Sequence, residues 1–257
     1  MKRILSIDWD YFVDCSANDR FNYFPDGGNE DLPYEIQDLV WNIRYANYPT
    51  IFDMGVLKEA FDTVHNILKR VDVFTPFAHP EYGPLDVVRV AESHRCMYEF
   101  TMMRTDKDEE FEVYNIDFHH DMYSYRTKNG EVNCGNWVNV LLEQRPNMKY
   151  HWIKREDSDT QVLGGEVDCL IKSLQDIKDL DFDYVFICRS DCWSPPHLDK
   201  QFLKLWRVCI KDIHSSIEMD NYVTKVRDVR STPSDNDILK QMASQNEKLY
   251  TSDGVVL

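Results

Sequence analysis

The sequence has no apolar run long enough to span a bilayer, and its basic residues are far fewer than its acidic residues. The apolar part of residues 1–8 is too short for a secretory signal peptide. Lysine and arginine number 29 against 45 acidic residues, which gives a formal net charge of −16. Such a surface repels phosphate backbones, so we expect neither nucleic acid nor membrane as a partner. It attracts a cationic substrate, although solubility alone is a sufficient reason for the charge.

The sequence also lacks a C-x-x-C motif among its seven cysteines. Their odd number and scattered spacing are typical of reduced thiols, so we expect a cytoplasmic protein. There is no repeat, no low-complexity tract and no clear domain boundary. A chain of 257 residues with 43% hydrophobic content is long enough for one large core. We therefore expect a single domain over residues 1–257.

Apolar strands alternate with amphipathic helices along the chain. The pattern predicts strands at residues 4–7, 85–91, 113–116, 149–154, 184–188 and 222–229. It predicts helices at residues 35–46, 53–71 (with Asp53 as the N-cap), 95–103, within 165–180, 197–215 and 235–248, and one from the Gly135-Asn136 turn to Gln144. The alternation indicates an α/β fold, a three-layer α/β/α sandwich with a mostly parallel central sheet.

The most informative segment is Asp117-Phe-His119-His-Asp121, which directly follows a predicted strand. Alternate residues of an extended chain point the same way, so two carboxylates and an imidazole should converge. In open parallel sheets, ligand sites lie at the carboxyl ends of the strands. A hydrogen-bonded polar cluster is the alternative, but three ligands at alternating spacing favour a divalent metal site.

Three more predicted strand ends carry acidic or imidazole side chains. Asp8 and Asp10 follow the first strand, His94 follows the second, and Asp191 follows the apolar run that ends at Cys188. Asp8 and Asp10 are equally well explained as caps of the next turn. Carboxylate-rich sites with one or two imidazoles favour Mn²⁺ over Zn²⁺. Two ions that share a carboxylate can hold a hydroxide, which is a nucleophile at neutral pH.

Four segments together resemble motifs of the arginase/deacetylase superfamily, and in particular the prokaryotic peptide arginases. Asp117-Phe-His-His-Asp121 is similar to the D-x-H-x-D metal motif, and Ser93-His94 to the G-D-H-S element. The other two are Cys134-Gly-Asn136-Trp, which is similar to the S-G-N-x-H segment that contacts substrate, and Ser190-Asp-Cys-Trp-Ser-Pro195, which is similar to S-x-D-x-D-x-x-D-P. The resemblance covers about residues 79–228.

The resemblance implies an enzyme that converts arginine side chains of a precursor peptide to ornithine and releases urea. It implies a hydroxide held between two Mn²⁺ ions per chain and an arginine-containing peptide as substrate. Asp121 and His119 are implied as catalytic residues, and Asn136 and Asp228 as substrate-binding residues. The implied metal ligands are Asp10, His94, Asp117, His119, Asp121 and Asp191.

The chain departs from the family pattern at two places. Trp193 stands where the late motif has its second aspartate, and we expect Asp10, with Asp8 as the alternative, to supply that carboxylate from the first strand. The histidine expected near Trp137 is absent, which leaves the proton shuttle without a residue. For Asp228, a salt bridge to a neighbouring arginine is the alternative to a contact with the substrate guanidinium.

Two other functions therefore stay open. One is a deacetylase-like amidase with a single zinc ion held by Asp117, His119 and Asp191. The other is a peptide-binding protein without catalysis on the same fold, in which the metal serves stability.

Overall fold

The computed structural model describes residues 1–24, 34–74, 77–79, 83–123, 131–162, 165–166, 169–212 and 214–227. In chain order, the strands are β1 Lys2–Asp8, β2 Val13–Asp14, β3 Gly55–Val56, β4 Phe77–His79, β5 Gly83–Leu85, β6 Val88–Ala91, β7 Phe111–Ile116, β8 Met148–Ile153, β9 Gln161–Val162, β10 Gly165–Glu166, β11 Leu170–Lys172, β12 Tyr184–Cys188 and β13 Ile217–Met219. The helices are α1 Ala17–Tyr23, α2 Tyr34–Asn47, α3 Lys58–Arg70, α4 Cys96–Met102, α5 Trp137–Gln144, α6 Leu174–Ile177 and α7 Asp199–Arg207, and 3₁₀ turns lie at Trp9–Phe12, Pro49–Asp53 and Pro196–Leu198.

The central sheet has the strand order β11-β8-β7-β1-β12-β6-β13 within the described part of the chain. Each neighbouring pair in it is parallel. From β1 the chain passes to β6 on one side and then to β7 on the other side, so the direction of winding reverses around β1. In open parallel sheets, the carboxyl ends at such a reversal form a crevice that binds ligands.

Two hydrophobic cores cover the two faces of this sheet, because successive strand residues point to opposite faces. Leu5 and Ile7 of β1 pack in one core with α3 and α7, whereas Ile4 packs in the other with α4 and α5. Residues Tyr184–Cys188 of β12 are buried throughout, as expected of a central strand covered on both sides. The predicted α/β sandwich with a mostly parallel sheet is therefore confirmed.

The second predicted helix starts later than the sequence indicated. Asp53 ends a 3₁₀ turn instead of capping α3, which begins at Lys58 after Leu57. The reason is that Gly55–Val56 pairs antiparallel with Val13–Asp14, which keeps this stretch extended. The helix predicted at residues 197–215 is also shorter, since α7 ends at Arg207.

The predicted last strand is wrong in its described part. Residues 222–224 form a turn and residues 225–227 have no regular structure, and the edge strand beside β6 is Ile217–Met219 instead. The helix predicted at residues 235–248 lies outside the described residues. None of the described helices combines the length and the apolar character that crossing a bilayer requires.

Candidate metal centre

Carboxylates and imidazoles from three strand ends meet at the carboxyl edge of the sheet, around β1. Asp8 is the last residue of β1, and Asp10 lies in the 3₁₀ turn that follows it. Asp117 directly follows β7, and His94 follows β6. β1 pairs directly with β7, and only β12 lies between β1 and β6, so these three strand ends are close together at one edge of the sheet. The predicted convergence of these strand ends is what the structure contains.

One group of potential ligands surrounds His94. Its Nδ1 atom lies 3.2 Å from Asp8 Oδ2, 3.2 Å from Asp117 Oδ2 and 2.9 Å from Asp121 Oδ2. An imidazole nitrogen carries at most one proton and donates it to one acceptor at a time. Three carboxylates around this one nitrogen are therefore more than a hydrogen bond can satisfy, and they fit the coordination of a cation.

A second group surrounds His119 and shares Asp117 with the first. His119 Nδ1 lies 3.1 Å from Asp10 Oδ2 and 3.9 Å from Asp117 Oδ1. Candidate ligand atoms lie within 4.8 Å of one another in the set Asp8, His94 and Asp117, and again in the set Asp10, Asp117 and His119. Asp117 thus presents one carboxylate oxygen to each imidazole, as a bridging ligand between two ions does.

Burial and mutual repulsion shift the pKa values of these carboxylates. Burial raises the pKa of Asp8 to about 7, and the charges of Asp10 and Asp117 act in the same direction. Burial likewise raises the pKa of Asp117 to about 7, with Asp121 adding to the effect. So many buried carboxylates repel one another unless cations compensate them, which is a property of metal sites.

Asp10 differs from its neighbours because a cation of the protein lies beside it. Burial opposes its ionisation, but Arg20 and His119 outweigh burial and lower the pKa of Asp10 to about 2. The buried Arg20 Nη1 lies 3.5 Å from Asp10 Oδ2, and its guanidinium carbon lies 4.1 Å from the centre of the Phe118 ring. Arg20 therefore keeps Asp10 in the charged form that binds metal.

Several polar side chains that the sequence did not single out fix the orientation of the ligands. Ser190 Oγ donates to Asp8 Oδ2 at 2.8 Å, and Ser6 Oγ lies 2.7 Å from His94 Nε2. Asn115 Nδ2 donates to Asp117 Oδ2 at 3.0 Å. The alternation within strands offers a signal for two of them, because Ser6 and Asn115 each lie two residues before a ligand. Such partners usually set the orientation and basicity of metal ligands.

Asp121 reaches the His94 group from a strained backbone conformation. Its φ angle is 53°, in the left-handed region, and the Trp137 indole donates to Asp121 Oδ2 at 2.6 Å. Trp137 lies near the sequence position where the resemblance predicts a histidine, and it contacts Asp121, a predicted catalytic residue. An indole N–H donates a hydrogen bond but does not exchange its proton at neutral pH, so it positions Asp121 and does not replace a proton shuttle.

Asp191 belongs to neither group of potential ligands, although the sequence analysis named it as a metal ligand. Its Oδ1 accepts from the Cys192 backbone at 2.5 Å, and burial, with the nearby charge of Glu92, raises the pKa of Asp191 well above its ordinary value. The preceding Ser190 has a φ angle of 55°, which breaks the alternation of an extended chain. Ser190 therefore faces Asp8 in place of the expected aspartate.

The two predicted substrate-binding residues have different outcomes. The Asn136 side chain accepts from the Asn133 backbone at 2.8 Å and donates to the Glu131 carbonyl at 3.2 Å, so these contacts close its own turn. Asp228 lies outside the described residues.

Comparison of the chain with protein-family models, with curated proteins and with solved structures found no match. The reasons for a metal centre are therefore its own geometry and donor set. Oxygen-rich groups that each contain one imidazole suit Mn²⁺ and similar divalent ions, and no cysteine belongs to either group.

Proposed function

We propose that this chain is a metal-dependent hydrolase with two Mn²⁺ ions, which converts arginine side chains of a peptide to ornithine and urea. The observation that carries the proposal is the shared Asp117 carboxylate, with one oxygen directed to each of two histidine-containing groups. Its substrate assignment rests in addition on the motifs that resemble the peptide arginases.

The chain supplies a ligand set for each ion. Asp8, His94, Asp117 and Asp121 would hold one, and Asp10, Asp117 and His119 the other. When bound, a pair of divalent ions supplies a nucleophilic hydroxide at neutral pH and stabilises the negative charge of the transition state. Asp121, held by the Trp137 indole, takes the role of orienting the nucleophile and passing its proton to the leaving nitrogen.

The surroundings of the site suit a guanidinium substrate. The His119 side chain is 24% exposed whereas those of Asp10 and Asp117 are buried, so a substrate reaches the site from the side of His119. Trp193 lies beside it, with the two rings 5.0 Å apart. Arg20 already packs its guanidinium against the Phe118 ring, and Trp193 would offer an arginine substrate the same kind of aromatic face.

The test is urea release by protein purified free of metal and reconstituted with Mn²⁺, with an arginine-containing peptide and with free arginine as substrates. We expect two ions per chain by elemental analysis and urea from the peptide. His119→Ala and Asp117→Asn should abolish release. His214→Ala and Asp179→Asn serve as matched controls, because both residues are exposed and remote from the metal ligands in sequence.

Each result decides between specific alternatives. Full activity of either site variant would overturn the assignment. Two bound ions without urea from any arginine substrate would leave the metal centre standing but reject the arginase reaction. One bound ion, with release of acetate from an acetyl-lysine peptide, would favour the single-metal amidase.

A further inference from the structure

A groove on the outer surface of the α3–α7 layer is lined by cations, in contrast to the acidic character of the whole chain. Its volume is about 770 Å³, and His65 of α3 faces Lys200, Lys204 and Arg207 of α7 across it. Among the described residues that line it, none is acidic. The local excess of positive charge is opposite to the composition of the chain, which has 45 acidic and 29 basic residues.

Among the described residues, the three cations of α7 have no acidic partner. Lys200, Lys204 and Arg207 are exposed, and no carboxylate lies within 4.0 Å of their charged atoms in the described part of the chain. They follow one another at intervals of four and three residues, so they share one face of the helix. Lys204 extends over the Phe61 ring, which also stacks on His65, so the aromatic pair orients it toward the groove.

The positive potential of the groove acts on its own histidine. Burial lowers the pKa of His65, and Lys69 and Lys204 lower it further, while Asp62 acts in the opposite direction and is outweighed. A negative charge in this groove would act on His65 in the direction opposite to Lys69 and Lys204.

Part of the groove lining is apolar. Leu203 of α7, Val208 directly after it and Val226 contribute to the lining, and Val226 is 45% exposed. A free phosphate would leave this apolar surface in water. A peptide that carries both acidic and apolar side chains would cover it while pairing with the cations.

The size of the groove and the total charge distinguish a peptide from larger polyanions. The stripe from Lys200 to Arg207 is about 10 Å long at 1.5 Å per residue, which equals about three residues of an extended peptide. A nucleic acid or an anionic membrane extends far beyond this stripe and meets the repulsion of a chain with net charge −16. A short segment is attracted mainly by the nearby cations, because salt screens charges beyond about 8 Å.

We propose that the groove between His65 and the Lys200, Lys204 and Arg207 stripe is a docking site for an extended peptide segment in which acidic and apolar residues alternate. In an extended chain such alternation places the carboxylates on one face and the apolar side chains on the other. The site does not depend on the metal centre or on the hydrolase assignment, since none of its lining residues is a candidate ligand.

The test is fluorescence anisotropy with a labelled synthetic peptide in which glutamate alternates with leucine. A matched peptide replaces every glutamate with glutamine. The site variant carries Lys200→Glu, Lys204→Glu and Arg207→Glu. The control variant carries Lys107→Glu, Lys149→Glu and Lys178→Glu, which changes the net charge equally at exposed positions outside the groove. Circular dichroism checks that both variants are folded.

We expect the glutamate peptide to bind the wild type and the control variant, with binding at least about tenfold weaker in the site variant and in high salt. Absence of binding to the wild type would overturn the proposal. Equal loss in both variants would overturn it too, because net charge would then explain the effect. Equal binding of the glutamine peptide, or tighter binding of a single-stranded oligonucleotide or of phosphatidylserine vesicles, would also reject an acidic peptide as the partner.

Discussion

At the scale of single residues, Asp117 matters most, because both ligand groups depend on its carboxylate. We expect Asp117→Asn to weaken binding of both ions, whereas Asp8→Asn should weaken only the ion beside His94 and Asp10→Asn only the ion beside His119. Each loss should exceed about 100-fold, the upper end of what removal of an outer-shell partner costs. Titration of metal-free protein with Mn²⁺, followed by calorimetry, measures both steps.

The exposed Asp179→Asn is the matched control for this titration, and it should retain both steps. The prediction of a shared carboxylate fails if Asp117→Asn loses one binding step and keeps the other at its original affinity. It also fails if Asp8→Asn and Asp10→Asn lose the same step.

Ser190 gives a second prediction at this scale, because its hydroxyl donates to a carboxylate oxygen that faces His94. Ser190→Ala leaves Asp8 without that donor, and affinity for the ion held there should fall about tenfold. The φ angle of 55° tolerates alanine poorly, so Ser190→Gly separates the backbone effect from the loss of the hydroxyl. An affinity unchanged in both variants would exclude a supporting role for this serine.

At the scale of elements, a buried ion network connects the segment after β13 to the loop after β12. Arg227 binds Asp199 of α7 at 2.6 Å, and it also donates to the carbonyl groups of Asp191 and Ser194. Arg189 binds Glu92 and Asp199 and donates to the Lys225 carbonyl at 2.7 Å. The loop that carries Ser190 is thereby fixed next to the metal centre.

We expect Arg227→Met to destabilise the fold by about 3 kcal/mol, because the buried Asp199 loses its closer guanidinium and keeps only that of Arg189, 3.3 Å away, among the described residues. Urea unfolding followed by fluorescence measures the change. Arg207→Met is the matched control, since Arg207 is exposed and has no ion pair with any residue that the structure describes, and it should stay within about 0.5 kcal/mol of the wild type. Equal stabilities of the two variants would contradict a structural role for the network.

Strands and helices were predictable from the sequence where local residues determine them, and not where contacts with distant segments do. Strands such as Tyr184–Cys188 were predictable because a continuous apolar run has to be buried. The start of α3 was not, because it depends on pairing between Gly55–Val56 and a segment forty residues away. Helix α7 ends at Arg207, although the apolar pattern continues to residue 215. The carbonyl groups of Tyr222 and Lys225 accept hydrogen bonds from Arg189 and not from a neighbouring strand.

The candidate site was likewise predictable only in part. Ligands at strand ends, such as Asp117 and His94, were found because parallel strands end at one edge of the sheet. Asp191 was misplaced because the left-handed backbone at Ser190 turns the chain, and single-sequence patterns carry no signal for that turn. The role of Arg20 depends on how α1 packs against Phe118, which the sequence also does not reveal.

At the scale of the whole molecule, the metal centre concentrates charge at the place where the sheet order reverses. Four buried carboxylates, Asp8, Asp10, Asp117 and Asp121, lie at the carboxyl ends of β1 and β7. Both strands contribute residues to both hydrophobic cores, so the candidate metal centre lies next to the core on each face of the sheet. Cations that bind there would therefore act on global stability.

We expect Mn²⁺ to raise the melting temperature of the metal-free protein, because the ions bind the folded chain and relieve repulsion among its buried carboxylates. At a free concentration 100 times the dissociation constant, one site contributes about 2.7 kcal/mol, which corresponds to a rise of about 5–10 °C for a chain of this size. Scanning calorimetry with and without a chelator measures the shift.

In Asp117→Asn the shift should be far smaller, because the carboxylate common to both groups is gone. A wild-type melting temperature that does not respond to Mn²⁺, although two ions are bound per chain, would mean that the ions bind the unfolded chain equally well and that the centre is not organised by the fold.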